Sequence, residues 1–342
     1  MNKLSINITN SNIKNYELSK NYELILIKPI GNGAYGYIFY TQNNDVVKIL
    51  CDNIYEEKDN ISEYSEDYVI DKIINNKNNF TVNNNNYALG KIIYNENKEE
   101  SCNIKAINTI ELNVIPYESK EIIHSSVTTN RKKTKFVLYE TNYVVIMPLY
   151  LSFYNYFECF PSRKPFRSEQ LLIFLMNKLI QSIDELLMIG ILNNDIKMNN
   201  IMIDKNMNIK IIDFGLTKSI EQSFVKIDTD IKYYAWSDNK DFTYNNQLCY
   251  MISIFILEII FDKRVTDLQN NPENIKYILY DFLSQQYISN DIKKLIKESI
   301  LKGIDYNEYK DIIKKQYEIY DFNDFALPNI YYLGLYNKRI VE

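Results

Sequence analysis

Asp195, Lys197 and Asn200 fall in one short stretch and are bracketed by Ile191, Leu192, Ile196 and Ile201. Apolar neighbours on both sides pin such a polar loop against a core. Asp213 follows Asn200 by 13 residues, at the end of the run Ile209, Lys210, Ile211, Ile212. That distance has room for one tight hairpin, which would bring Asn200 and Asp213 together at one end. An amide oxygen beside a carboxylate is a hard-oxygen site suited to Mg²⁺. The plainer reading is a helix-to-hairpin junction with incidental polar residues, and the order and spacing weigh against it.

Two further clusters could handle an anion. Gly31, Gly33 and Gly36 stand between two runs of strand character. Glycines let backbone N–H groups approach phosphate oxygens with no Cβ in the way. A dinucleotide-binding loop of this spacing would lead into a helix. Here a strand follows, so the loop reads as a hairpin lid, and alone it matches an ordinary glycine-rich hairpin equally well. Lys48 lies in the middle of an apolar strand with Val46, Val47 and Ile49. A buried ammonium is costly without a partner, and its natural partners are an anionic ligand and a carboxylate. Glu66, 18 residues on, is the best carboxylate, because Val69 and Ile70 suit a core face beside it. Glu63 is the competitor, and a solvent-facing lysine on an edge strand is the plainer alternative.

The elements that must position these residues change in character along the chain. Residues 1–20 read as a loosely held extension. Residues 22–50 have β texture, with a hairpin turn at Gln42 to Asp45. A helix is expected over 62–75. Asparagine-rich loops at 75–79 and 83–86 mark an insertion of about 75–120 with uncertain strands. Residues 136–139 and 143–147 read as a strand pair closed by Pro148. After a boundary near Tyr150 the texture turns helical, with Ser168 as N-cap of a helix over 169–189 that Gly190 ends. Short strands at 201–203 and 209–212 follow, then helices at 247–261, 290–301 and 308–320. A β-rich part thus precedes a helix-rich part.

Taken together, these residues resemble the signature set of the protein kinases: glycine-rich loop, strand lysine, helix glutamate, a D-x-K-x-x-N catalytic loop and DFG, in family order. The resemblance covers roughly residues 22–261. It implies an α+β, bilobal protein-kinase-like fold, with a small β-rich N-lobe at 21–150 and a larger helical C-lobe at 151–342. It also assigns roles. Gly31, Gly33 and Gly36 would cover the phosphates of ATP, and Ile30, Ile38, Val46 and Met202 would sandwich the adenine. Lys48, tethered by Glu66, would hold the α- and β-phosphates. Asp195 would accept the proton of a protein hydroxyl, and Asn200 and Asp213 would bind Mg²⁺. Lys197, two after Asp195, resembles the serine/threonine members. A pseudokinase that keeps the fold without turnover, and a small-molecule phosphotransferase of kinase-like fold, are the competing readings. Lys48, Asp195, Asn200 and Asp213 argue against the first; Lys197 with Phe214 and Gly215 argues against the second.

The chain departs from the family pattern at four points. Asn193 and Asn194 replace the usual His and Arg before the catalytic Asp, no APE-like tripeptide follows Gly215, Gln247 stands near a helix start where an Asp is usual, and the first part carries the insertion. Without the Arg, a phosphorylated activation loop loses its usual docking partner. These departures, with a composition rich in Asn, Ile, Lys and Tyr, are similar in style to the divergent serine/threonine kinases of poxviruses and other large DNA viruses; an AT-rich protist is the alternative origin.

Bulk properties narrow the partners. A net charge of -5 over 342 residues gives no support for binding nucleic acid. Four scattered cysteines and a single histidine, His124, make a zinc site improbable and suit a reducing compartment. Residues 1–16 carry no apolar signal-peptide core, and the most apolar run, 251–261, is too short to span a bilayer. A soluble cytoplasmic protein is expected (host cytoplasm or virion if viral), acting on a protein substrate, with its oligomeric state open.

Overall fold

Alternation of apolar residues builds the first half of the molecule. The computed structural model describes residues 2–33, 36–50, 64–81, 86–93, 106–113, 133–139, 143–158, 168–204, 208–224, 243–261 and 272–322. The chain divides into two compact units. The first comprises Met1–Ile61, Glu66–Asn75 and Asn85–Leu149, and the second Ser62–Ser65, Asn76–Asn84 and Tyr150–Glu342.

The first unit contains β1 (Asn2–Ser11), β2 (Asn21–Gly33), β3 (Gly36–Thr41), β4 (Asp45–Leu50), α1 (Glu66–Asn75), β5 (Ala88–Ile92), β6 (Ala106–Asn113), β7 (Lys133–Tyr139) and β8 (Tyr143–Pro148). Six strands close a barrel in the order β1-β2-β3-β4-β8-β5, with β1 pairing antiparallel to both β2 and β5. Leu4, Ile6, Ile8, Leu24, Leu26, Phe39, Val47, Ile49, Val144 and Ile146 fill it. Side chains of a strand alternate between faces. Val47 and Ile49 point inward, so Lys48 leaves on the outer face, where α1 packs.

Three expectations need correction here. Residues 2–11 are not a loose extension. Leu4, Ile6 and Ile8 have period two and are buried, and their strand removes the free edges that β2 and β5 would otherwise expose. The segment 88–92, read as part of the insertion, is the barrel strand β5. Residues 136–139 do not pair with 143–147: β7 pairs with β6, while β8 runs between β4 and β5. The continuous apolar run Val144, Val145, Ile146, Met147 is buried on both faces, which suits a strand with the barrel interior on one face and α1 against the other.

The second unit opens with β9 (Leu151–Ser152) and α2 (Phe153–Glu158). It continues with α3 (Glu169–Met188), β10 (Ile191–Asn193), β11 (Ile201–Ile203), β12 (Ile209–Ile211) and β13 (Thr217–Ser219). It ends in α4 (Tyr244–Phe261), α5 (Pro272–Ser284), α6 (Asn290–Leu301) and α7 (Tyr306–Ile319). Ser168 occupies the N-cap position of α3 without a side-chain capping bond, while Gly190 ends the helix with a φ of 78°. Both α2 and α5 escaped the sequence reading. Helix α4 is long and apolar enough to cross a membrane by length and composition, yet it is the core helix of this unit and packs against α3, α5, α6 and α7. Ser253 on α4 meets Ser299 of α6 at 2.6 Å and Tyr309 of α7 at 3.1 Å, so its hydroxyl is satisfied in the apolar interior.

Candidate functional site

In the first unit, the outward-facing Lys48 meets the start of α1. Its Nζ donates to Glu66 Oε1 at 2.9 Å and Oε2 at 2.7 Å, and the two side chains are 6% and 8% exposed. Lys48 stands between Ile38 of β3 and Val145 of β8, so it is a central-strand residue, not an edge one. The competitor Glu63 lies outside the described residues. Val69 and Ile70 are buried beside Glu66, as the helical spacing requires. A buried ion pair is held by geometry more than by net energy, and breaking it leaves an uncompensated charge.

The glycine cluster falls at the β2–β3 connection, with Gly31 opposite Ile38 and Gly33 opposite Gly36. Gly36 has a reason of its own. A Cβ there would lie 2.5 Å from the carbonyl oxygen of Ile49 and 3.3 Å from Lys48 Cε. Only a glycine lets β3 approach β4 so closely beside the lysine. Of the residues expected near adenine, Val46 is buried, Ile38 is half-buried and Ile30 is exposed. Met202 lies in the second unit, on β11, opposite Lys210 and Ser152.

In the second unit, α3 delivers the chain into β10, and the loop after it turns back into the β11–β12 hairpin. Asp195 is 4% exposed. Its Oδ2 accepts from Lys197 Nζ at 2.9 Å and from Asn200 Nδ2 at 2.6 Å, and Lys197 Nζ lies 2.8 Å from Oδ1 as an ion pair. Asn200 Nδ2 also donates to the Asp195 carbonyl at 3.0 Å. Both N–H bonds of that amide are therefore engaged, leaving Oδ1 as the atom able to meet a cation. The Ile212 N–H donates to the Asn200 carbonyl at 2.9 Å, so the hairpin brings the Asp213 backbone next to Asn200. Asp213 itself has φ 63°, a left-handed conformation that Asp tolerates better than most residues. Phe214 beside it is buried.

Asn193, two residues before Asp195, is one of the departures from the family pattern. The structure shows it buried, with Oδ1 accepting from the Asp195 N–H at 2.8 Å and Nδ2 donating to the Asp213 carbonyl at 3.5 Å. One side chain thus ties the two acidic residues of the site together. An Asn that accepts from the N–H two residues on is a familiar local turn, and that was the signal available in the sequence. Asn194 is 5% exposed, and among the described residues neither its Nδ2 nor its Oδ1 has a hydrogen-bond partner. Residues 225–242, most of the segment that follows Gly215, lie outside the described residues, as does His124.

Among the described residues no group of three or more His, Cys, Asp or Glu could hold a metal. A carboxylate and an amide oxygen are nevertheless the hard donors that Mg²⁺ takes when it keeps several waters and phosphate oxygens as its other ligands. The donor set of Asn200 and Asp213 fits that ion. Cys249, the free cysteine among the described residues, is buried, and burial raises its thiol well above the ordinary range, so it offers no nucleophile.

Sequence comparison decides the family. The protein kinase domain matches residues 75–302. The chain belongs to the protein kinase domain family. That match takes in Asp195, Lys197, Asn200 and Asp213 and runs past residue 261 through α6. It leaves out the glycine cluster, Lys48 and Glu66. No curated protein matches the chain in sequence. Among solved structures it is similar to the ROP18 kinase domain in complex with AMP-PNP and sucrose. The identity is 13% and the TM-score 0.50, over 92% of this chain and 86% of that one. At that identity the likeness speaks for a kinase-like fold of helices and strands, and for nothing finer.

Proposed function

We propose that the chain is an active serine/threonine protein kinase that transfers the γ-phosphate of ATP to a hydroxyl of a protein substrate. The observation that carries this reading is the Asp195 carboxylate, buried and held by Lys197 and Asn200. In the proposed reaction the substrate oxygen bonds to the γ-phosphorus and the bond to the β,γ-bridging oxygen breaks, releasing ADP. Asp195 orients the hydroxyl and accepts its proton, while Lys197 balances charge on the transferring group. Asn200 and Asp213 would hold Mg²⁺, which offsets phosphate charge when bound. Lys48, fixed by Glu66, is assigned to the α- and β-phosphates, the backbone at Gly31, Gly33 and Gly36 to covering them, and Ile30, Ile38, Val46 and Met202 to the adenine.

Serine/threonine preference rests on Lys197. The two-lobed organisation, the viral kinship and a cytoplasmic setting (host cytoplasm or virion) belong to the same proposal. The test is γ-phosphate transfer with Mg²⁺ to generic acidic and basic proteins, followed by phosphoamino-acid analysis. Phosphoserine or phosphothreonine from the wild type, and a loss of about a thousandfold or more in Asp195→Asn with ATP still bound, is the expected result. Bound ATP with no transfer by the wild type would point to a pseudokinase. Label on small alcohols alone would point to a small-molecule phosphotransferase.

A further inference from the structure

The Lys48–Glu66 pair depends on where α1 lies, and α1 has only ten residues. A helix that short does not hold itself in water, so its position must come from what it packs on. One face, Val69, Ile70, Ile73 and Ile74, is buried. An apolar face alone resists sliding poorly, because dispersion and burial are non-directional. Directional contacts sit at both ends. At the start is Glu66 on Lys48. At the other end, Asn10 of β1 donates from Nδ2 to Asp71 Oδ1 at 2.7 Å and to Asn75 Oδ1 at 3.0 Å, and Asn75 Nδ2 donates to Asp71 Oδ2 at 2.9 Å.

The strand is built to present this residue. Leu4, Ile6 and Ile8 point into the barrel, and strict alternation would send Asn10 there too. Instead the β1–β5 register shifts between Ile8 and Asn10, with Ile8 opposite Gly90 and Asn10 opposite Leu89. Such a bulge re-aims the side chain that follows it. Here it turns an amide out of the apolar interior and onto α1. A Cβ on Gly90 would lie 3.0 Å from the Asn7 carbonyl oxygen, so glycine at that position lets β1 sit close at the bulge. Just beyond, the chain is locked by paired bonds with Tyr87. The Asn12 N–H donates to its carbonyl at 2.9 Å, and Asn12 Oδ1 accepts from its N–H at 2.7 Å.

We propose that Asn10 is a positioning residue for catalysis: with Asp71 and Asn75 it latches α1 to the N-terminal strand and thereby holds Glu66 on Lys48. The catalytic consequence rests on the kinase reading above; the latch itself does not. Amide hydrogen exchange on the intact chain tests the latch directly. In Asn10→Ala, amides of α1 should exchange about tenfold faster while those of α3 keep their protection, the size expected for losing hydrogen bonds to a charged acceptor. Asn10→Asp should be worse, since it sets a carboxylate against Asp71. The double substitution Asn10→Asp, Asp71→Asn exchanges donor and acceptor and should restore protection. Unchanged exchange in α1, or a uniform loss across the barrel that the double substitution does not rescue, overturns the proposal.

Activity supplies the second arm. Asn10→Ala should lower kcat about tenfold, and should have no further effect in a Glu66→Gln background, because both changes release the same lysine. Full additivity of the two would overturn the positioning role. An inactive wild type would sink the kinase reading and leave the latch to the exchange result, selective deprotection of α1 supporting it and unchanged protection overturning it.

Discussion

Lys48 and Glu66 are both almost wholly inaccessible to water and form a close ion pair. Lys48→Met should remove phosphate-transfer activity and also destabilise the first unit by about 3 kcal/mol, because Glu66 is left buried as an anion. Adding Glu66→Gln should recover most of that stability and none of the activity. Urea unfolding beside the transfer assay separates the two effects, and full stability in the single variant would mean that the pair is not formed in solution. Asn193 invites a different test. Asn193→Ala frees the Asp195 N–H and the Asp213 carbonyl together. The expected result is a kcat about tenfold lower with KM for ATP little changed, the signature of acidic groups that are present but loosely aimed. A rise in KM alone would assign Asn193 to nucleotide binding instead.

At the scale of elements, the close approach of β3 to β4 depends on the absence of a side chain at Gly36. Gly36→Ala should separate the strands beside Lys48 and destabilise the barrel by roughly 1–3 kcal/mol. Thermal unfolding should show it, and an unchanged Tm would mean that the carbonyl of Ile49 can yield at no cost. The same barrel contains the element hardest to read in advance. Strand β1 has the period-two pattern of Leu4, Ile6 and Ile8, but Asn, Ser and Thr fill the alternate positions, and such residues are common throughout this chain. A strand of that kind is recognisable only once β2 and β5 stand on either side of it. The Tyr16 hydroxyl donates to Asp45 at 2.7 Å, and burial pushes both groups above their ordinary pKa values. Pairing across the 94–132 stretch escaped prediction for a related reason. The expected partner of 136–139 was its nearest neighbour in sequence, whereas β7 takes β6 and β8 pairs along its two edges with β4 and β5.

For the molecule as a whole, Asn194 bears on regulation. A neutral, buried amide stands where an arginine would dock a phosphorylated loop, so phosphatase treatment of the purified protein should leave transfer activity unchanged. A large loss would show that phosphorylation matters and that another cation receives it. The order and spacing of Lys48, Glu66, Asp195, Lys197, Asn200 and Asp213 were determined by the sequence itself. Charged or amide groups set among Ile, Leu and Val have few inexpensive fates, and their neighbours on a helix or strand follow from its period. The hairpin at 201–211 was legible too, because two short apolar runs across a polar turn pair locally. What only the tertiary structure decided was non-local. It closed the barrel with β1, set β8 between β4 and β5, let Asn193 tie Asp195 to Asp213, and turned Asn10 onto α1. Each of these joins residues far apart in the chain or hangs on a one-residue shift in register, and a single polar residue carries no mark of which distant backbone it will meet.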